Sequence, residues 1–250
     1  MEQVVHAEYA RSLANHWWFR ARRKIFARLL DSLVPLPRQA QILELGPGHG
    51  VNLEVLNPRG RVTTLDTDKT SLADCLERGA HGAVLADGLE PPFRPRTFDL
   101  ICALDVIEHI DDDQQVLRRI HELLRPGARL FLTVPALSIL WGRQDVLSRH
   151  FRRYSKRQLK ERVQAAGFSI ERLSFFNSAL FLPILFVRLL MRPFLRRSTR
   201  AGSGSDFSVR PPGVIEGIFY KLFAAEAGWL VRRDLPIGVS LLCIAKRESS

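Results

Sequence analysis

The sequence predicts a doubly wound α/β fold, and two observations carry that prediction. Short apolar segments alternate with segments of helical pattern between residues 40 and 135, as in a parallel sheet with helices on both faces. One of those segments, FDLICALD, is almost continuously apolar, which is typical of a strand buried on both faces. The chain has 250 residues, of which 46% are hydrophobic and 25% charged, and this suffices for one domain with a substantial core.

Five strands are predicted in this alternating region. In chain order they are QILEL, RVTTLD, HGAVLAD, FDLICALD and ARLFLTVP. Helices are predicted over residues 51–56, over residues 69–79 with Gly79 as the stop, and from residue 112 to Pro126 and Gly127. The last helix carries acidic residues first and basic residues late, an order that suits the helix dipole.

The flanking segments add helices and two further strands. Residues 4–34 are predicted to be helical and to end at Pro35. A helix capped by Ser155 and stopped by Gly167 precedes a sixth strand, FSIERLSF, and VSLLCIAKR is the last strand. We expect a single domain over residues 1–250. The sequence divides into an N-terminal helical segment (1–38), an α/β core (39–174 and 236–247) and an apolar and basic helical insertion with a flexible loop (175–235).

A glycine-rich turn follows the first predicted strand and indicates that a ligand approaches the backbone there. Gly46, Gly48 and Gly50 have the spacing G-x-G-x-G, whereas the dinucleotide motif is G-x-G-x-x-G. The third glycine comes one position early, which disfavours a nicotinamide-dependent oxidoreductase. Glu44 lies just before the turn, and its charge favours a ligand with a positive centre over a diphosphate.

Four carboxylates stand at the ends of consecutive predicted strands: Glu44, Asp66, Asp87 and Asp105. Ligands of open α/β sheets bind at the carboxyl ends of the strands. Asp66 can accept hydrogen bonds from ribose hydroxyls, and Asp87 can meet an adenine amino group or cap its loop. One such acid is commonly a turn residue or a helix cap, but four in register predict a nucleoside-binding edge.

The run ILELGPGHG, LDTD, LADGLEPPFRPRTFDLICALDVIEHI and LLRPGARLFLTVP resembles class I S-adenosylmethionine-dependent methyltransferases over residues 40–135. The resemblance implies a Rossmann-like seven-stranded sheet whose last strand is antiparallel, with S-adenosyl-L-methionine as the cofactor. The residues that it implies around the cofactor are Glu44, Gly46, Pro47, Gly48, Gly50, Asp66, Thr67, Asp87, Gly88, Leu89, Asp105 and Val106.

The N-terminal HWWFRARR motif resembles the lid of a bacterial methyltransferase subgroup, type 11 or 12, so residues 1–38 are interpreted as a lid. Its aromatic residues can cover the cofactor, and Arg20, Arg22 or Arg23 can reach a carboxylate. We assign Trp18 and Arg23 to the cofactor. The alternative is an amphipathic helix with its aromatic residues in the core, but consecutive aromatics are not expected to face one core.

Two segments supply candidates for the acceptor side. In LDVIEHI, helical spacing brings Asp105 near Glu108 and His109. This pattern resembles the ubiquinone-biosynthesis O-methyltransferases, where the corresponding residues are associated with a divalent metal. The same Glu-His pair occurs at helix starts without metal, so no metal ligand is assigned. His109 is kept as a candidate catalytic residue.

The second segment, LWGRQDVLSRHFRRYSKRQL, follows the fifth strand and mixes basic and aromatic residues. It is interpreted as an anion-recognising acceptor loop with His150 or Tyr154 near the nucleophile. A solvated basic loop followed by a helix cap explains it equally well.

Residues 175–195 are strongly apolar but interrupted by Asn177, Pro183, Arg188 and Arg192, so they do not predict a membrane span. An interfacial helix with a basic flank and a helix that covers the acceptor pocket are both compatible with this pattern. The formal net charge of +11 favours anionic partners such as a membrane surface.

These observations predict a methyltransferase acting on a small-molecule or lipid-linked acceptor, with oxygen as the favoured nucleophile. An RNA or protein methyltransferase and a non-catalytic S-adenosylmethionine-binding protein are the alternatives. A nucleic-acid substrate is disfavoured because no NPPY-type tetrapeptide follows the fourth strand. The scattered Cys75, Cys102 and Cys243 and the polar N-terminus predict a cytoplasmic protein, free or peripheral at the membrane face. The sequence does not predict the oligomeric state.

Overall fold

A seven-stranded sheet forms the centre of the molecule. The computed structural model describes residues 15–195 and 213–248. Its strands are β1 (Ala40–Leu45), β2 (Gly60–Asp66), β3 (Gly82–Leu85), β4 (Phe98–Leu104), β5 (Leu124–Pro135), β6 (Phe168–Phe176) and β7 (Ser240–Arg247). Their order is β3-β2-β1-β4-β5-β7-β6, with β1 to β5 parallel and β7 antiparallel to both neighbours. This arrangement confirms the predicted fold and the antiparallel last strand.

Helices cover both faces of the sheet. Within the described residues they are α1 (Trp17–Leu33), α2 (Leu53–Leu56), α3 (Lys69–Glu77), α4 (Asp113–Leu123), α5 (Arg143–Leu147), α6 (Lys156–Ala165), α7 (Phe181–Leu195) and α8 (Gly213–Leu230). Short 3₁₀ turns occupy Asn57–Arg59, Ile107–His109 and Ser138–Leu140. The predicted helical residues 4–14 and most of the predicted loop, residues 196–212, lie outside the described residues.

Two apolar clusters, one on each side of the sheet, bury the strands. Successive strand residues alternate between them: Ile42 packs with α1 and α8, whereas its neighbour Leu43 packs with α4 and α6. The same alternation in the other central strands accounts for the continuous apolar run of β4, because both of its faces are covered.

The helix caps follow the sequence signals in most places. Ser155 accepts a hydrogen bond from the Gln158 N–H and begins α6, and Gly167 follows that helix with φ +94°. One boundary was wrong. β5 begins at Leu124, directly after α4, so Pro126 and Gly127 lie within the strand rather than after the helix.

Helix α7 has two apolar faces. Phe181 packs into a small cluster with Leu140 and Val239, while Leu182 and Phe186 are 71% and 65% exposed on the opposite side. None of the helices in the described ranges combines the length and hydropathy that crossing a bilayer requires. The division of the chain into lid, core and insertion stays a prediction.

Candidate active site

The glycine turn after β1 leaves open space beside its backbone. Gly46, Gly48 and Gly50 have φ angles of +59°, +51° and +69°, a region that favours glycine. A Cβ on Gly46 would lie 2.7 Å from Cγ2 of Val106, so a side chain at that position would force Val106 to shift. A Cβ on Gly48 would meet nothing within 4 Å. The turn therefore offers a cradle at Gly48, with Pro47 beside it and Val106 as a wall.

Glu44 is the second-last residue of β1 and is buried beneath the turn. Its Oε1 accepts a hydrogen bond from Asn52 Nδ2 at 2.9 Å, whereas Oε2 has no hydrogen-bond partner among the described residues. Burial raises the pKa of this carboxyl to about 7. An unpartnered buried oxygen beside a glycine cradle suits a positively charged group such as an ammonium.

Asp66 and Asp87 order the turns that follow β2 and β3. Asp66 Oδ1 accepts the Asp68 N–H at 3.0 Å, and Asp87 Oδ1 accepts the Leu89 N–H at 2.9 Å. Thr67, the residue after Asp66, is exposed. A Cβ on Gly88 would lie 3.3 Å from Leu45, and Leu89 packs against the core. Because β3, β2, β1 and β4 are neighbours in the sheet, the carboxylates at the ends of these strands lie along the same end of the sheet.

Asp105 completes this edge after β4 and is held by a buried arginine. It adopts φ +59°, and its carboxylate pairs with the guanidinium of Arg22 in α1. Thr133 Oγ1 donates to Asp105 Oδ1 and accepts from Arg22 Nη2, both at 3.1 Å. The first helix is thus tied to the ends of β4 and β5.

A second polar cluster lies next to Asp105. Glu108 and His109 belong to the 3₁₀ turn after β4, and His150 comes from the loop after α5. The ligand-type atoms of these three side chains lie within 4.8 Å of one another. The two imidazole rings meet edge to face at 4.5 Å between centroids.

Asp145 holds the side chain of His150 in this cluster. It is fully buried and accepts hydrogen bonds from His150 Nδ1 at 2.9 Å, Arg153 Nε at 2.8 Å and the Gly142 N–H at 2.7 Å. Burial alone would raise the pKa of Asp145, but the hydrogen bonds from His150 and Arg153 outweigh it and lower that pKa to about 2. The loop is therefore anchored by a buried carboxylate rather than simply solvated.

Comparison with known proteins identifies the family. Residues 14–173, more than half of the chain, match the family model described as a methyltransferase domain. The chain belongs to this family of S-adenosylmethionine-dependent methyltransferases. The resemblance predicted from the sequence and the predicted cofactor are confirmed.

Relatives and solved structures agree with this assignment. A ubiquinone biosynthesis O-methyltransferase of Pseudomonas aeruginosa is 29% identical over 151 residues, which span 53% of this chain and 64% of the relative. Phosphoethanolamine N-methyltransferase 2 of Haemonchus contortus, solved with S-adenosyl-L-methionine, superposes with a TM-score of 0.57 at 19% identity, over 90% of this chain and 52% of that one. An S-adenosylmethionine-dependent methyltransferase of Mesorhizobium loti gives a TM-score of 0.55 at 17% identity, over 87% and 95%.

The buried Glu44 and the half-buried Gly46 and Gly48 fit the methyl donor of the family. Its amino acid portion carries an ammonium that the unpartnered Glu44 oxygen can accept, and the open space at Gly48 admits it close to the backbone. When bound, S-adenosylmethionine supplies a methyl group already activated on a positively charged sulfur.

Three of the residues predicted for the site have their side chains engaged in other contacts, and their roles in the site stay predictions. Tyr154 is 1% exposed, and its hydroxyl donates to Asp113 Oδ2 at 2.6 Å in the core. Burial first, and then Asp113, raise the pKa of Tyr154, which favours the protonated phenol that donates to Asp113. Arg23 Nε contacts the exposed carboxylate of Glu54, in the helix that follows the glycine turn, at 2.9 Å.

Trp18 also packs differently from the prediction. Its ring lies 5.1 Å from that of Phe223, and the ring of Trp17 lies 5.4 Å from that of Phe219, both residues of α8. Trp17 and Trp18 therefore both pack in the core beneath α8, as the alternative interpretation expected, whereas Phe19 is only half-buried. Arg22 was named among the arginines that can reach a carboxylate but was not assigned to the site, and it is the one that pairs with Asp105. Its only sequence signal was its place in a cluster of three arginines.

Proposed function

We propose that this protein methylates an oxygen nucleophile on a small, apolar or lipid-linked acceptor at an anionic membrane surface, with S-adenosyl-L-methionine as the donor. The observation that carries the proposal is the adjacency of two sites across Asp105. Asp105 ends the row of strand-end carboxylates, and it also lies close to His109, which faces His150.

The cofactor side is assigned to the residues around the turn. Glu44 and the backbone at Gly46, Pro47 and Gly48 would hold the amino acid portion. The ribose would meet Asp66 and the adenine would lie near Thr67, Asp87, Gly88 and Leu89, with Gly50 shaping the turn and Val106 closing it. We assign Asp105 a positioning role, because its ion pair with Arg22 holds the first helix at the ends of the strands where the cofactor would bind.

The acceptor side has the groups that an oxygen nucleophile needs. A hydroxyl has to lose its proton as the new oxygen–carbon bond forms. His150 is oriented by Asp145 in the arrangement that makes imidazole an effective proton acceptor, and His109 faces it. Burial, and then the charge of His150, lower the pKa of His109, which keeps that ring neutral near pH 7.

An apolar surface beside this cluster supports an apolar acceptor. Ile139, Val146, Leu147 and Phe151 surround the loop that carries His150, and all are between 44% and 62% exposed. The outer face of α7 adds Leu182, Phe186 and Leu190. Exposed apolar side chains on a chain of net charge +11 suit contact with anionic lipid.

The ubiquinone-related name of the relatives agrees with oxygen as the nucleophile, but the chain covers less than two thirds of their length. The support from the relatives therefore concerns the type of reaction and not the acceptor.

The test is formation of S-adenosylhomocysteine from S-adenosylmethionine with phenols that do or do not carry an apolar tail. Each phenol is offered with vesicles of zwitterionic lipid alone or with added anionic lipid. We expect turnover of the tailed phenol and a higher rate on anionic vesicles. Equal rates for both phenols, with or without vesicles, would contradict the proposal that the acceptor is apolar and is methylated at a membrane surface. Binding of the donor without any turnover would favour a non-catalytic protein.

A further inference from the structure

Asn177, the residue that follows β6, has a buried side chain amide that makes no hydrogen bond to any of the described residues. The residue is 0% exposed, and both Oδ1 and Nδ2 lack a partner there. A buried amide that stays unpaired costs free energy, and polar groups of this kind in native proteins normally have a partner. A bound ligand can supply that partner.

The backbone around Asn177 is held in place without help from this amide. Asn177 adopts φ +58°, a left-handed conformation that asparagine tolerates better than most residues do. The buried carboxylate of Glu226 in α8 accepts three consecutive backbone N–H groups, from Asn177 and Ser178 at 2.7 Å and from Ala179 at 3.0 Å. Unusual backbone conformations that are held so firmly are concentrated at ligand-binding sites.

Asn177 lies at the end of the sheet where the predicted cofactor residues converge. β6 is antiparallel to β7, and β7 is antiparallel to β5, so β6 ends at the same end of the sheet as β1 to β5. The guanidinium of Arg22, which pairs with Asp105, lies 5.5 Å from the ring centre of Phe176, the residue just before Asn177. β5 and β7 separate β6 from β4, so Asn177 lies across the sheet from the carboxylates of β1 to β3. This position favours a contact with the acceptor over one with the donor.

Helix α7, which begins four residues after Asn177, gives an acceptor a route to the buried amide. Among the α7 side chains that the structure describes, at residues 181–190, only Phe181 is buried. Phe181 belongs to a small cluster with Leu140 and Val239. An element with so few buried apolar contacts opens at a low cost in free energy. α7 can therefore move about the turn that Glu226 holds.

We propose that Asn177 determines acceptor specificity: its amide hydrogen-bonds a neutral polar group of the acceptor, a hydroxyl other than the oxygen that is methylated. The amide donates through Nδ2 and accepts through Oδ1, and a hydroxyl can satisfy either atom. A phosphate or carboxylate is disfavoured, because the Glu226 carboxylate already meets the backbone of the same residue. A site built around such a bond rejects a ligand without the matching group, since the amide then stays unpaired. This inference rests on the proposed function, because it presupposes an acceptor with a hydroxyl nucleophile.

The test compares two ligands that differ in one hydroxyl: a phenol with an apolar tail, and the same phenol with a second ring hydroxyl. Their affinities are measured by calorimetric titration of the full chain saturated with S-adenosylhomocysteine, so no methyl transfer is required. We expect wild type to bind the dihydroxy ligand at least about tenfold more tightly. Asn177→Gly and Asn177→Ser are each expected to bind the two ligands with about equal affinity.

The two variants isolate the amide from the conformation of the turn. Glycine accepts the left-handed backbone, serine keeps a Cβ, and both keep the N–H that Glu226 accepts. Ser178→Ala is the matched control, because the hydroxyl of the neighbouring Ser178 donates to the Ile237 carbonyl. We expect all three variants to keep a melting temperature and an affinity for S-adenosylhomocysteine close to those of wild type.

Three results would overturn the role of Asn177. They are a preference for the dihydroxy ligand that is absent from wild type, one that persists in both Asn177 variants, and one that is lost equally in Ser178→Ala. Loss of affinity for S-adenosylhomocysteine in the Asn177 variants would place the amide at the donor and would also contradict the proposal. Ligands that bind with the expected preference but are never methylated would contradict the proposed function, while the binding role of Asn177 would stand.

Discussion

Arg22 of α1 and Asp105 at the end of β4 form an ion pair inside the protein, with Thr133 bridging the two side chains. The side chain of Arg22 is only 8% exposed. This pair joins the N-terminal helix to the edge where the predicted cofactor residues converge, and it holds Asp105 in a left-handed backbone conformation. The first helix is therefore part of the framework of the site.

Removing the arginine of this pair is expected to destabilise the protein. Arg22→Met leaves the Asp105 carboxylate without its counter-charge, and breaking a buried pair costs about 3–5 kcal/mol. Because Asp105 is 31% exposed, we expect about 2–3 kcal/mol in the free energy of unfolding measured by urea denaturation. Lys24→Ala, an exposed change in the same helix, is the control. A loss below about 1 kcal/mol would mean that the pair does not fasten the helix.

Gly48→Ala is expected to weaken binding of the donor while the protein stays folded. The new Cβ meets nothing within 4 Å in the free protein, so the cost in stability is limited to the left-handed conformation, about 1–2 kcal/mol. The same Cβ occupies the cradle, and we expect the affinity for S-adenosylmethionine to fall at least about tenfold, since a lost contact of 1.4 kcal/mol is tenfold. Calorimetric titration checks this.

Gly46→Ala is the comparison for that experiment. Its Cβ would lie 2.7 Å from Val106, so we expect a larger loss of stability than in Gly48→Ala, seen as a lower melting temperature. Equal affinities for the donor in wild type and Gly48→Ala would place the donor away from the turn.

Glu44→Gln is expected to stabilise the ligand-free protein at alkaline pH. The folded-state pKa of Glu44, about 7, lies above its ordinary value of 4.5, so the protonated form suits the buried site. The stability that this group contributes is present below about pH 4.5 and is lost as the pH rises through 7. Glutamine has no such loss, and we expect Glu44→Gln to be more stable than wild type by about 2 kcal/mol at pH 8, with little difference at pH 5.

The same substitution should weaken donor binding. In the wild type, affinity for S-adenosylmethionine is expected to rise between pH 6 and pH 8 as the carboxylate forms and pairs with the ammonium. In Glu44→Gln the affinity should be lower and flat over that range. A pH profile that is identical in the two proteins would show that Glu44 does not meet the donor.

Tyr154→Phe tests whether the phenol is structural. It removes the hydrogen bond to Asp113, which Arg152 and Arg162 still hold, so we expect a loss of about 1–2 kcal/mol in stability. The rate of methyl transfer at saturating substrate should stay within about twofold of wild type at a temperature where both proteins are folded, well under the 10²–10⁴-fold effect of removing a general base. A loss in that larger range would restore Tyr154 to catalysis.

The strand order, the glycine turn and the strand-end carboxylates could be predicted because each depends on a local pattern. Periodicity shows the strands, and a residue at a strand end lies at the sheet edge whatever packs around it. The choice between Arg22 and Arg23 depends on the rotation of α1 about its axis, and that rotation is set by packing against α8, some two hundred residues later. The residues near Arg22 in the sequence therefore do not predict that rotation.

The acceptor side was harder to predict for the same reason. His150 and Glu108 come together because the segment that carries His150 is held beside the turn after β4. The Phe151 N–H donates to the Glu108 carbonyl at 2.8 Å, and the Tyr154 hydroxyl donates to Asp113 of α4. In the sequence, Tyr154 and His150 are equivalent candidates in one basic segment. Burial separates them: one side chain enters the core, and the other faces His109.

The most direct test of the account is calorimetric titration of wild type and Asp66→Ala with S-adenosylmethionine, S-adenosylhomocysteine and NADH. The account predicts micromolar-range binding of the first two ligands by wild type, none of NADH, and at least about a tenfold weaker affinity in Asp66→Ala, since losing a hydrogen bond to a charged group costs 1.5–3 kcal/mol. Binding of NADH, or full affinity for S-adenosylmethionine in Asp66→Ala, would contradict the assignment of the strand-end carboxylates to the donor.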